Sequence, residues 1–200
     1  MKKISKGLVL GLMLATGDVL IGAATANAMP MTTGRTTSQP IGHYEFCQQV
    51  PQECRATGNY APDRLTQRAW AKMVEINARV NATIAPRTEL EMLLREEISG
   101  DSVRYGDCED YALQKRHELI QAGFHTSNLL ITVVLQPNGD GHAVLTVRTD
   151  RGDFILDNLV SKVLDWRDTR YRYLKRQSTA NAGKWVDIID DRPNIVAGNF

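Results

Sequence analysis

No stretch of this sequence is apolar for long enough to cross a bilayer. The best candidate lies near the N-terminus and is broken by Asp18, well short of the roughly 20 residues that a spanning helix needs. Charge of one sign is lacking too: the formal net charge is +1 over 200 residues. That balance gives no electrostatic basis for binding nucleic acid or an anionic membrane surface. No internal repeat and no heptad run is present, so solenoids and coiled coils are set aside. Cysteine is scarce, with only Cys47, Cys54 and Cys108, and no C-x-x-C occurs.

What is there begins with an export signal. Lys2, Lys3 and Lys6 form a charged start, an apolar run follows from Leu8 to Leu14, and Ala26-Asn27-Ala28 is a small-x-small cleavage site. Residues 1–28 therefore read as a signal peptide cut after Ala28, which implies a periplasmic or secreted protein. The 172 residues that remain carry 21 basic and 22 acidic side chains. They suffice for one domain with its own core. We expect a flexible start and an irregular clip over 29–62, followed by a domain over 63–200.

Export makes the cysteines informative. Cys47 and Cys54 are seven apart in a polar, Pro-containing segment, and in an oxidising compartment their simplest fate is a disulfide with each other. Zinc is the alternative, but His43 is the only imidazole nearby and no four-ligand set is complete. Cys108 is then the odd thiol.

Periodicity orders the rest. Leu65, Ala69, Trp70, Met73, Ile76, Val80 and Ile84 recur at helical spacing, predicting a helix over 63–84 with Asp63 as N-cap and Pro86 as terminator. Thr88-Glu89-Leu90-Glu91 is a capping-box pattern that opens a shorter helix to about Ile98. A third helix starts at or just after Cys108, with Tyr111, Ala112, Leu119, Ile120 and the stem of Lys115 inward, and Gly123 after its end. Leu129 to Leu135 is a near-continuous β-branched run, a central strand. Strands at 142–149 and 154–158 follow, and 171–177 and 184–189 are further candidates. Helices followed by an antiparallel sheet make an α+β fold.

Cys108 has two readings. An unpaired cysteine is commonly a small buried hydrophobe. At a helix N-terminus, oriented N–H groups stabilise a thiolate, which makes it a candidate nucleophile. Such a nucleophile needs an imidazole and a group to orient it. His117 lies nine residues along the same helix and faces the other side, about 13 Å away. His125 follows the far end of that helix. His43 and His142 remain, and His142 opens a strand directly after a glycine-rich turn. Asp157 ends the next strand, where antiparallel pairing brings it towards His142. A two-residue turn at Arg151-Gly152 would nevertheless set Asp157 opposite Thr146, so the register needs a wider loop or a bulge. The basic set Arg167, Arg170, Arg172, Lys175 and Arg176 alternates with aromatics and reads as a solvated strand face.

Gly106-Asp107-Cys108-Glu109-Asp110-Tyr111 with Lys115-Arg116, then Gly141-His142-Ala143-Val144-Leu145, then Leu156-Asp157-Asn158, resembles the bacterial transglutaminase-like cysteine proteinases. The order of the motifs matches over most of the sequence after residue 28. The resemblance implies a papain-like/transglutaminase-like fold with Cys108 as nucleophile, His142 as general base and Asp157 orienting His142. It also implies calcium held by the acids flanking the cysteine, Asp107 and Glu109, which suits a hard oxygen-binding cation. In the best-understood relatives the substrate is a large surface adhesin. The segment 93–105 departs from the family pattern, with no Trp or Pro. The function expected is thus an exported thiol hydrolase acting on peptide or amide bonds of a cell-surface or periplasmic protein. Transglutamination or deamidation by the same triad, and an inactive binding domain, are the rival readings. Neither an organic cofactor nor stable membrane insertion is expected.

Overall fold

The strand Leu129–Leu135 (β4) is buried at five of its seven positions, and it sits at the centre of a seven-stranded sheet. The computed structural model describes residues 29–87 and 104–192. Strand order is β1-β9-β8-β4-β5-β6-β7, every neighbouring pair antiparallel. The strands are β1 (Thr33–Thr37), β5 (Gly141–Thr149), β6 (Gly152–Leu156), β7 (Leu164–Asp165), β8 (Arg172–Ser178) and β9 (Asn181–Ile188). Two short strands, β2 (Ile84–Pro86) and β3 (Arg104–Gly106), pair in parallel apart from it.

Helices α2 (Gln67–Thr83) and α3 (Cys108–Gln121) cover one face of the sheet. Met73, Ile76 and Val80 of α2 meet Tyr111, Ala112 and Leu119 of α3 over Leu129, Leu145 and Leu156. A second cluster on Val134, Val144 and Ile155, with Trp166, Tyr171 and Tyr173, fills the other face. Alternation along β4 to β6 supplies both clusters, as the period of a strand requires. The fold is therefore α+β, as expected.

Three elements differ from the sequence reading. Helix α2 starts later, with Thr66 as N-cap accepting the Ala69 N–H. Asp63 instead bridges to Thr149 and bonds His125. The stretch 29–62 is more ordered than a flexible start and an irregular clip: it supplies edge strand β1 and helix α1 (Ile41–Gln49). Its helix and the following turn Pro51–Cys54 are joined by the Cys47–Cys54 disulfide. Arg176 is not solvated, because it lies 5% exposed and pairs with Asp153 at 3.0 Å. The helix expected from Thr88 and the segment 93–103 lie outside the described residues, as does 1–28. No helix among the described residues is long and apolar enough to cross a membrane.

Candidate active site

Helix α3 places Cys108 at its first position because Asp107 caps it. The Asp107 Oδ1 accepts the N–H groups of Glu109 and Asp110, and Asp110 Oδ2 returns a bond to the Asp107 N–H. This reciprocal capping box meets the exposed donors of the first turn. Gly106 is required beside it, since a Cβ there would stand 2.7 Å from the Cβ of Asp110. The far end closes at Gly123 (φ +97°), with Phe124 N–H bonded to Leu119 O, the arrangement expected of a left-handed C′ glycine.

The helix packs on β5, and the Ala143 backbone of that strand lies near enough to Cys108 to favour its thiolate. The thiol is thus held against the residue next to His142. His142 is 6% exposed, and its Nε2 stands 2.8 Å from Asp157 Oδ1, itself 2% exposed. Nδ1 is then the ring nitrogen left for a thiol.

The register works because the turn is one residue earlier than the sequence suggested. Asp150 and Arg151 form it, Thr149 pairs with Gly152, and Leu145 pairs with Leu156. Asp157, one step further, falls level with Val144 and diagonal to His142. Diagonal neighbours on one sheet face are within reach of longer side chains. Gly152 (φ +111°) makes the early turn possible. Thr149 fixes it, its hydroxyl donating to Gly152 O and accepting the Arg151 N–H.

Asp157 is itself held from several sides. Tyr171 donates its hydroxyl to Oδ2, Leu159 N–H donates to Oδ1, and Asn81 of α2 bonds the Asp157 carbonyl at 2.8 Å. Burial would raise its pKa, but the bonds from His142, Tyr171 and Leu159 N–H outweigh burial and hold it below the ordinary carboxylate value. Tyr171 and Asn81 were not recognised from sequence. Tyr171 lies 14 residues beyond Asp157 in a run of alternating aromatics and carries no local signal; only the fold shows it.

The thiol is not activated as it stands. Burial pushes Cys108 up to about 11, opposed by the Ala143 N–H; the Asp107 and Glu109 carboxylates raise it further, against its own N–H. The lowering expected from the helix N-terminus is real but smaller than burial and two nearby anions together.

The other histidines are elsewhere. His117 is exposed and bonds Gln121; His125 pairs with Asp63. His43 is buried against Trp185, whose indole N–H donates to Nδ1, with the Gln177 amide at Nε2. It also lies beside both Cys47 and Cys54, but those sulfurs are bonded to each other and offer no thiolate to a metal. Glu109 faces α1: a Cβ at Gly42 would stand 3.0 Å from its Oε2. Beyond Asp157, on the face away from the helices, an apolar cavity of about 350 Å³ is lined by Pro137, Ile155, Leu159, Val160, Leu164 and Tyr171 among others.

The sequence model of one family, the bacterial transglutaminase-like cysteine proteinases (BTLCP), matches residues 33–193. The chain belongs to this family. It is a transglutaminase-like cysteine peptidase, and its mixed helical and antiparallel architecture is consistent with the transglutaminase-like fold. Among solved structures it is similar to LapG of Legionella pneumophila, 24% identical with a TM-score of 0.45, covering 59% of this chain and 68% of that one. A calcium-bound LapG is 20% identical with a TM-score of 0.47, covering 71% of this chain and 86% of that one. An EGTA-treated LapG is 23% identical with a TM-score of 0.45, covering 62% and 73%. No curated protein matches the sequence.

Proposed function

We propose that this peptidase is exported and cuts peptide or amide bonds of a cell-surface or periplasmic protein, with Cys108 as nucleophile, His142 as general base and Asp157 as the residue that orients His142. One observation supports this most: a buried imidazole–carboxylate pair, 2.8 Å apart, opens the strand against which the helix carrying the free thiol packs.

The chemistry follows from that arrangement. His142 Nδ1 takes the thiol proton as Sγ attacks the substrate carbonyl carbon. The carbonyl π-electrons move to oxygen, where the Cys108 N–H serves as one donor. The C–N bond then breaks, and the amine leaves with the proton from His142. Water adds to the thioester, His142 removing its proton. The C–S bond breaks, and the thiol is restored.

Calcium fits the residues flanking the cysteine. Asp107 and Glu109 offer hard oxygen donors at a helix N-terminus, and Glu109 Oε2 lies close over Gly42. These two carboxylates would hold the ion, which would offset their negative charge beside the thiol. LapG has been solved both calcium-bound and EGTA-treated, which supports this reading for a relative of the same fold.

Mass spectrometry of candidate proteins incubated with the purified chain tests the function. Two cleavage products with wild type and none with Cys108→Ala or His142→Asn are expected. A gain of about one dalton would instead show that water hydrolyses a side-chain amide, and cross-links would show an amine as the acyl acceptor. Cleavage that survives both substitutions sinks the triad.

A further inference from the structure

Tyr171 reaches Asp157 from a short segment that the sheet does not hold. Residues 169–171 lie between the turn Trp166–Asp168 and β8, which begins at Arg172, so their backbone is outside the ladder. Thr169 and Tyr171 also line the apolar cavity of about 350 Å³, so close packing cannot press the segment into place from that side. Yet the Tyr171 hydroxyl bonds Asp157 Oδ2, and its ring centre stands 5.6 Å from that of His142.

What holds the segment is Arg192, just past β9. Its Nη1 donates to the carbonyls of Trp166, Arg167 and Thr169 at 2.9, 3.3 and 3.2 Å, and its Nη2 donates to the carbonyl of Tyr171. Nε and Nη2 bond the two carboxylate oxygens of Asp190, each at 2.8 Å. Asp190 in turn accepts the Tyr173 N–H at the start of β8. The guanidinium carbon lies 4.8 Å from the Trp166 ring centre and 5.0 Å from that of Tyr173. The two-point carboxylate fixes the plane of the guanidinium, and the aromatic rings flank it.

Four carbonyl oxygens converge on this one side chain. Crowded out of water they need donors, and losing them is costly. A planar fork of N–H groups serves all of them and the carboxylate together; an ammonium or an amide cannot.

We propose that Arg192 is a positioning residue of the Cys108–His142–Asp157 site, acting through Tyr171. It fixes the segment that delivers the Tyr171 hydroxyl to Asp157, and the carboxylate so held orients His142. The inference rests on the triad reading above. Arg192, Tyr171, Asp157 and His142 form an unbroken chain of contacts from the end of the sheet to the base. A staple that only ties the chain after β9 to β8 would cost stability and leave the base alone.

The test is a double-mutant cycle on the rate at which iodoacetamide alkylates Cys108 in the whole purified chain. Arg192→Gln should slow alkylation about fivefold, less than the roughly tenfold or more typical of a direct outer partner. Added to Tyr171→Phe, the same substitution should change the rate by less than about twofold, while urea melts still show its loss of stability. An unchanged rate in Arg192→Gln, or equal slowing in both backgrounds, overturns the proposal. Arg192→Lys keeps the charge between Trp166 and Tyr173 but not the fork, and carries the same prediction should the Gln variant fail to fold. His142→Asn separates the two readings: alkylation indifferent to it sinks the triad, whereas failure for Arg192 leaves the His142 dependence intact. The Tyr171 hydroxyl proton, assigned in the NMR spectrum by its loss in Tyr171→Phe, reads Arg192 without any reaction at Cys108. It should exchange with water about tenfold faster in Arg192→Gln; unaltered exchange also overturns the proposal.

Discussion

Tyr171 donates its hydroxyl to the one oxygen of Asp157 that His142 does not use. The carboxylate is thereby held between His142 of β5 and Tyr171, just ahead of β8, and its rotation is restrained. Outer groups of this kind orient the inner ones and are costly to lose. Tyr171→Phe should therefore slow alkylation of Cys108 by iodoacetamide about tenfold, with a loss of fold stability of about 2 kcal/mol. An unchanged rate would mean that Asp157 is held well enough without it.

Acid should weaken the fold through His43. Burial first, and then the charge of Arg116, holds its pKa at about 4, against 6.5 for a free imidazole. The Trp185 indole N–H and the Gln39 side chain face Nδ1, and the Gln177 amide faces Nε2. The unfolded chain binds the proton first, so stability is full above pH 6.5 and falls as the pH drops towards 4. The loss is on the order of 3 kcal/mol. Asp157, with its lowered pKa, contributes stability above the unfolded carboxylate value and loses it as pH falls through the folded one. Urea midpoints at successive pH values measure both, and in His43→Gln the slope between pH 6.5 and 4 should largely vanish.

The disulfide should be worth about 2.5 kcal/mol on the chain-entropy model, because it closes a short loop with a sequence separation of seven. Urea melts of Cys47→Ser/Cys54→Ser against wild type give the figure directly. The turn it closes carries Glu53, which reaches the buried Arg116 of α3 at 2.6 Å, so the loss extends to the seating of the cysteine helix.

Calcium should raise the thermal midpoint, and a chelator should lower it, since an ion bound only by the native state stabilises that state. Glu109→Gln should abolish the shift while leaving the helix cap intact. Asp107→Ala is the less clean variant, because it also removes the N-cap at a cost of about 1 kcal/mol. A midpoint indifferent to calcium would remove the ion from Asp107 and Glu109.

Periodic, strongly apolar elements were legible: β4, β5, the body of α2, and α3 down to its glycine stop. The start of α3 was legible for the same reason that it functions, since Asp107 and Asp110 form a local cap. Residues 29–62 were not, because Thr33–Thr37 has no apolar alternation and joins the sheet edge through its backbone alone. Helix α1 buries only His43, so no inward stripe announces it. The pairing of His142 with Asp157 was legible from strand ends, but its register was not: Gly152 in the left-handed region moves the turn by one residue. Arg176 was misread because strand alternation cannot see that Asp153 lies beside it.

The pairing of β1 with β9 has a consequence for biogenesis. Thr33 lies across from Ile188 and Thr37 across from Trp185, so the first strand of the sheet waits for the last. Trp185 is also the indole that bonds His43 in α1. A chain made from its N-terminus therefore cannot complete this edge until nearly all of it has been delivered, and such long-range closure is slow. Assembly of this edge, and with it the seating of α1 against Trp185, is thereby deferred until the last strand is present.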